Sequence, residues 1–304
     1  MTLTVLVPSD DGVRALAEIP DVKAVRYTPG EPLPLEAAQA EVLIPGTHRG
    51  DDRAALLGRL PNLKLVQLLS AGAEDWVGAV PEGVLLSTCR GAHGGSTAEW
   101  VVAVLLSIHR ELGSFAADQA AGRWQRRGTD TLQGKRVLIV GAGDLGHQLR
   151  RRLEPFDAAV TMVGMRARDD VHSVDELPCL LGEHDIVVLM VPLTSRTHGM
   201  VDAAFLARMA DGAVLVNAAR GPIVQTEALL TELTSGRLRA ALDVTDPEPL
   251  PAGHPLWTAP NLLLTPHVAG TVRDASLRSY AVAAAEIARY SGGELPHNLV
   301  HGEY

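Results

Sequence analysis

Apolar residues in this chain concentrate in short, near-continuous runs, at positions 3–7, 22–27, 42–45, 63–69 and 84–87, separated by mixed stretches with helical spacing such as 52–60. A strand buried on both faces shows an unbroken run, since neither side of its pleat meets water, so the alternation predicts a parallel sheet with helices on both faces. A second series follows a long helix. Ser96-Thr-Ala-Glu99 has the form of a capping box, helical apolar spacing continues from Trp100 to Leu112, and a polar, glycine-containing stretch covers 122–134. Apolar runs then return at 136–140, 159–163, 186–190, 213–216, 240–244 and 262–264, the six strands of a doubly wound sheet. The stretch 274–290, with Ala281, Ala284, Ala285, Ile287 and Ala288 at helical spacing, is surplus to that unit, and its economical place is against the first series. The pattern therefore predicts an α/β chain of two doubly wound parallel-sheet domains: a discontinuous one over 1–96 and 270–304, and one inserted in it over 97–269. No internal repeat or Gly/Ser linker interrupts them.

The first run of the inserted series leads into a glycine turn, Arg136-Val-Leu-Ile-Val-Gly141-Ala-Gly143-Asp144-Leu145-Gly146, and helical sequence continues beyond it. Gly141 permits the tight turn, Gly143 lets backbone approach a pyrophosphate, and Gly146 lets helix pack closely on strand, with the phosphates at the positive end of the helix. With 29 glycines in the chain the spacing alone is weak, and its place between a β-branched strand and a helix is what gives it weight. The inserted domain is thus expected to be a Rossmann dinucleotide-binding domain, and the surrounding one a flavodoxin-like, substrate-binding domain.

Composition narrows the partners. The 304 residues are 46% apolar, enough to give two domains their cores, and the formal net charge of −9, with lysine and arginine scattered, disfavours nucleic acid. Cys89 and Cys179 sit in no Cys-x-x-Cys or Cys/His pattern, so neither a disulfide framework nor a metal site is expected, and a reducing cytoplasm is the expected location. The N-terminal residues read as a first strand and lack the basic and long apolar regions of a signal peptide. No stretch of 18 apolar residues occurs, so no membrane span is expected.

Ligands of open α/β sheets bind beyond the carboxyl ends of the strands. Three reactive side chains follow successive strands there: Arg220 after the run ending at Asn217, Glu248 after that ending at Val244, and His267 after Leu262-Leu-Leu-Thr265. Hydride transfer between C2 of a 2-hydroxy acid and a nicotinamide ring needs a group that exchanges the hydroxyl proton near neutral pH, which histidine does. A carboxylate such as Glu248 would stabilise the imidazolium and fix its tautomer. A planar guanidinium such as Arg220 grips a carboxylate and the adjacent carbonyl through paired hydrogen bonds and polarises that carbonyl. Taken singly, Glu248 reads as a loop charge and Arg220 as a helix-start charge. His48, His109, His147, His172, His184, His198, His254, His297 and His301 read as surface or core histidines, and His93, in the segment that crosses between domains, as a candidate for the cleft lining.

With these residues in place the chain resembles the D-isomer-specific 2-hydroxyacid dehydrogenase family. The similarity is carried by Leu132-Gln-Gly-Lys-Arg-Val137, Val191-Pro-Leu-Thr194 with Thr197 and Gly199, Val216-Asn-Ala-Ala-Arg-Gly221, Ala241-Leu-Asp-Val244 with Glu248-Pro-Leu, and Thr265-Pro-His267, in order. It is strongest over 96–270 and looser before. The resemblance implies Arg220, Glu248 and His267 as the catalytic set. It also implies that Asp243 holds the nicotinamide carboxamide, that Pro192, Thr197 and Ala218 line the cofactor, and that the turn Ser70-Ala71-Gly72-Ala73 binds the substrate carboxylate through its amides, with Arg220 as the side-chain grip. A homodimer around the helix from Thr97 is implied as well. The loop after Ala241 is most similar to the glyoxylate and hydroxypyruvate reductase branch.

One departure bears on the cofactor. Where the common pattern has an acidic residue at the end of the second strand, this chain has Gly164, followed by Arg166 and Arg168. Loss of the carboxylate removes repulsion against a 2′-phosphate and the arginines supply partners for it, so NADP is expected over NAD, which stays the second option. Asp169 or Asp170 turned back towards the ribose would reverse that preference. The expected function is reversible hydride transfer between NADP(H) and a small 2-oxo or 2-hydroxy acid. The alternatives are phosphite or formate dehydrogenase activity, the latter disfavoured by Glu248, and an NADP(H)-sensing protein without turnover, for which an acid/base pair has no use.

Overall fold

The computed structural model describes residues 2–46 and 52–302; His48 lies outside them. The chain divides into two compact units, Met1–His93 with Arg273–Tyr304, and Gly94–Val272, three residues from each boundary that the sequence suggested.

The first unit contains β1 (Leu3–Val7), α1 (Asp10–Leu16), β2 (Val22–Arg26), β3 (Val42–Leu43), α2 (Asp52–Leu57), β4 (Leu65–Gln67) and β5 (Leu85–Ser87). All pairings are parallel and the order is β2-β1-β3-β4-β5, the flavodoxin-like order. Side chains alternate between faces with the period of the pleat, so Leu3, Val5 and Val7 enter one core while Leu6 enters the other, with Leu56 and Leu57.

The second unit opens with α3 (Gly94–His109) and α4 (Leu112–Ala120), then runs β6 (Arg136–Val140), α5 (Asp144–Leu153), β7 (Ala159–Gly164), β8 (Val171–Ser173), α6 (Leu177–Leu180), β9 (Ile186–Leu189), α7 (Ala203–Arg208), β10 (Val214–Asn217), α8 (Thr226–Ser235), β11 (Arg239–Leu242) and β12 (Leu262–Leu264). Its seven strands lie in the order β12-β11-β10-β9-β6-β7-β8, all parallel. The order reverses between β6 and β9, which places the ligand crevice beyond the carboxyl ends of those strands. Val137 and Ile139 pack beneath Ala98, Val101, Val104 and Leu105 of α3, and Leu138 and Val140 face the opposite core with Leu189, Leu215 and Leu242.

The last helix, α9 (Ala275–Ser291), belongs to the first unit, where Tyr280, Ala283 and Ile287 complete the core formed with β1. The residues after it pair with the sheet edge: Thr88 N donates to Asn298 O at 3.0 Å and Val300 N to Leu86 O at 2.9 Å.

Three local expectations are corrected. The inserted sheet has seven strands, because Val171–Ser173 forms an edge strand that only one apolar residue signals. Ser96 is not a helix cap: α3 starts at Gly94, so Ser96 and Thr97 lie inside its first turn. Packing of the apolar face on the sheet outweighs the poor helix propensity of Gly94 and Gly95, and a side chain at Gly94 would collide with the Asp144 carboxylate. Finally, the helix does not run on to Leu112. Glu111 takes a left-handed conformation (φ 52°) and Leu112 begins a separate helix. Asp118 of that helix accepts from Arg123 and Arg127 of the stretch beyond it, and Arg127 also binds Glu111 and stacks over Phe115, folding that stretch back on α4.

Candidate active site

β10, β11 and β12 are neighbours in the sheet, and the loops leaving their carboxyl ends carry Arg220, Glu248 and His267. The latter two are in direct contact: His267 Nδ1 donates to Glu248 Oε1 at 2.6 Å. That bond leaves Nε2 as the basic nitrogen, with no partner among the described residues. Both side chains are partly open to solvent, at 48% and 40% exposure. His267 adopts φ 54°, an unusual conformation for a residue with a side chain.

Asp243 explains how that conformation is held. Its buried carboxylate accepts from Thr265 Oγ1 (2.6 Å), Val268 N (2.8 Å) and Ala269 N (2.8 Å), while His267 N donates to its carbonyl at 2.7 Å. Thr265, His267, Val268 and Ala269 are thus all tied to one strand-end residue. Oδ1 is fully used by two donors and Oδ2 keeps one acceptor position, so contact with a carboxamide is available only through Oδ2. Thr265 and Asn217 are the polar residues that sequence reasoning missed in a site role. A polar side chain ending an apolar strand was the signal.

At the glycine turn the residues fit a dinucleotide. Gly141 has φ 122° and sits where a side chain would strike the Met190 carbonyl, and a side chain at Gly146 would strike the Gly141 carbonyl. Gly143 is the N-cap of α5, and the space where a side chain would stand on it is open. The Asp144 side chain packs against Gly94, and Leu145 adds to the core under α3. Gly164 ends β7; Arg168 Nη2 donates to Ala142 O at 2.7 Å, tying the loop after β7 to the glycine turn, and Arg166 is exposed with no partner among the described residues. After β9, Thr197 Oγ1 donates to Pro192 O at 2.6 Å and accepts from Thr194 N at 2.8 Å, fixing that loop's shape. Ala218 is mostly buried behind Leu189, to whose carbonyl its N–H donates at 3.4 Å.

In the first unit, Ser70 Oγ donates to Gly72 O at 2.6 Å, closing the turn on itself, and the amides of Gly72 and Ala73 have no partner among the described residues. His93 Nε2 lies 3.0 Å from Leu69 O and 3.1 Å from Ser279 Oγ, so this histidine anchors the base of that turn to α9. Among the other described histidines, His184 lies between Leu180 O and Thr161 Oγ1, and His172 lies against Glu176. Among the described residues no cluster of ligating side chains suits a metal.

A family profile described as "D-isomer specific 2-hydroxyacid dehydrogenase, NAD binding domain" matches residues 102–269. The chain belongs to the D-isomer specific 2-hydroxyacid dehydrogenase family. A glyoxylate reductase of Thermofilum pendens is 33% identical to this dehydrogenase over 265 residues, 82% of this chain and 78% of that one. The glyoxylate/hydroxypyruvate reductase B of Klebsiella pneumoniae is 31% identical over 280 residues, 87% and 85% of the two chains. Among solved structures, a D-isomer specific 2-hydroxyacid dehydrogenase from Xanthobacter autotrophicus Py2, in complex with NADPH and MES, superposes with a TM-score of 0.84 at 30% identity, covering 99% of this chain and 98% of that one. This family member is accordingly an oxidoreductase with a nicotinamide-dinucleotide domain.

Proposed function

We propose that this dehydrogenase reduces small 2-oxo acids with NADPH, and oxidises the matching D-2-hydroxy acids in reverse, with Arg220, Glu248 and His267 as its catalytic residues. The observation that carries the reading is the 2.6 Å bond from His267 Nδ1 to Glu248 Oε1 beside the Arg220 loop. When bound, the dinucleotide supplies the hydride. His267 Nε2 delivers a proton to the substrate oxygen, and Glu248 offsets the charge on the imidazolium before transfer and holds the ring in one tautomer. Arg220 binds the substrate carboxylate and polarises the adjacent carbonyl, and within the first unit the amides of Gly72 and Ala73 are of a kind suited to an anion.

Preference for NADP is supported by three features: Gly164 in place of an acidic residue, the exposed and unpartnered Arg166, and Arg168 anchored to Ala142 O at the mouth of the glycine turn. A cytoplasmic setting is supported by two free cysteines. A second copy of the chain as partner is supported by the surface of α4 and the residues after it, where Leu112 is 53% and Trp124 99% exposed. Light scattering on a sizing column reads that directly.

The deciding experiment measures NADPH and NADH oxidation against a panel that includes glyoxylate and hydroxypyruvate, for the wild type and His267→Ala. Turnover that the variant loses is the expected result. Tight cofactor binding without turnover on any acid would favour a sensor, and a clear preference for NADH would overturn the reading of Gly164, Arg166 and Arg168.

A further inference from the structure

Asn217 is a wholly inaccessible polar residue ending the apolar strand β10. A buried amide is unfavourable unless its groups are paired. Both are paired within the loop that follows: Ala219 N donates to Asn217 Oδ1 at 3.0 Å, and Asn217 Nδ2 donates to Arg220 O at 2.9 Å. The residue is fixed from the neighbouring strand too, since Asp243 N donates to the Asn217 carbonyl at 3.1 Å. The side chain therefore grips the peptide units on either side of the one that joins Ala219 to Arg220. To the carbonyl of that middle peptide the guanidinium itself donates, Nη1 to Ala219 O at 2.7 Å.

One buried amide thus holds the two outer peptide planes directly, and the guanidinium bonds to the plane between them. An amide carries the donor and the acceptor this loop requires on two separate atoms: a carboxylate accepts at both oxygens and would face the Arg220 carbonyl with like charge, a hydroxyl has both functions on one oxygen, and an aliphatic chain offers neither. From the other side the loop is fixed by Gly221, which passes so close to the backbone of Thr245 that no side chain fits there.

We propose that Asn217 is a positioning residue for the reaction, clasping residues 218–221 so that the Arg220 guanidinium points where a substrate carboxylate and carbonyl are gripped. The inference rests on the reading of Arg220 given above. Misplacing a gripping group by an ångström costs about a hundredfold in rate, so the effect is kinetic and is transmitted through Arg220.

The test is a double-mutant cycle of Asn217→Asp with Arg220→Ala, reading kcat and KM for glyoxylate and hydroxypyruvate at saturating NADPH, with thermal stability in parallel. Asn217→Asp is expected to lower kcat/KM about 10- to 100-fold in the wild-type background and by less than about threefold when Arg220 is already absent. Equal losses in both backgrounds would overturn the proposal, as would wild-type kinetics of Asn217→Asp. Asn217→Ser, read in the same cycle, serves if the aspartate variant fails to fold, and failure of both to fold overturns the proposal in favour of a purely structural role. Unchanged kinetics of Arg220→Ala would instead refute the reading of Arg220.

Discussion

Substituting Gly221 by alanine isolates the close approach of the loops that carry Arg220 and Glu248. A methyl carbon at Gly221 would lie 2.8 Å from Asp246 N and closer still to the carbonyl carbon and oxygen of Thr245, whereas ordinary contact begins at 3.4 Å. Backbone cannot swing aside as a long side chain does. The loop carrying Arg220 and the loop carrying Glu248 must part by more than half an ångström at Asp246 N, and by about an ångström or more at the Thr245 carbonyl. Displacement on that scale costs about a hundredfold in rate, equivalent to about 2.7 kcal/mol of transition-state stabilisation. Overpacking a close contact adds a stability loss of about 1–3 kcal/mol. The dinucleotide turn lies on different strands, β6 and its neighbours, and is expected to keep its affinity. Steady-state kinetics with NADPH and glyoxylate, thermal denaturation, and quenching of protein fluorescence by the dinucleotide read the three quantities separately. A Gly221→Ala variant with kcat/KM within about threefold of wild type would refute the argument that these loops are locked in register.

Other outcomes follow from the same geometry. His267→Ala is expected to lower kcat by about 10²- to 10⁴-fold, and Glu248→Gln by a smaller factor, with NADPH binding retained in both; loss of binding would show that the pair serves the fold. Cys89 is fully buried, donates to Ser279 O at 2.9 Å and has its thiol pushed up to about 12 by burial, so a thiol reagent at neutral pH should label Cys179 alone until the chain is denatured. Mass spectrometry before and after denaturant checks this. His109 is held below the ordinary histidine range, first by burial and then by the Arg239 charge, and Asp130 is lowered to about 2, chiefly by its bond to Lys135. A histidine that takes up a proton more readily unfolded than folded loses stability as pH falls below the ordinary histidine value, and the Asp130 contribution is lost below the ordinary carboxylate range. Melting temperature should therefore decline from pH 7 to pH 5, and His109→Gln should flatten that slope.

Legibility of the fold followed burial. Residues 137–140 of β6, the whole of β9 and residues 214–216 of β10 are buried, so they carry unbroken apolar runs. β8 has one buried residue in three and lies at the sheet edge, where His172 and Ser173 meet solvent, so its sequence carries no such signal. The start of α3 was hidden for a different reason: two glycines there disfavour helix locally, and the first of them, Gly94, is required by the Asp144 carboxylate packed against it. In the candidate site, Arg220, Glu248 and His267 stand out as reactive side chains at strand ends. Asn217 and Thr265 did not, because their work is done through hydrogen bonds to backbone that sequence spacing does not reveal.

The interrupted first unit bears on the order in which the protein matures during synthesis. Its core needs Tyr280, Ala283 and Ile287 of α9, and its sheet edge is paired by residues near 298–300. All of these leave the ribosome after the whole of Gly94–Val272. The inserted unit, contiguous in the chain and with two cores of its own, can therefore fold while β1 to β5 still wait for their partners. During that interval the apolar faces of β1 and β3 are uncovered, which makes the period before release, and not the finished enzyme, the stage most exposed to aggregation and most dependent on chaperones.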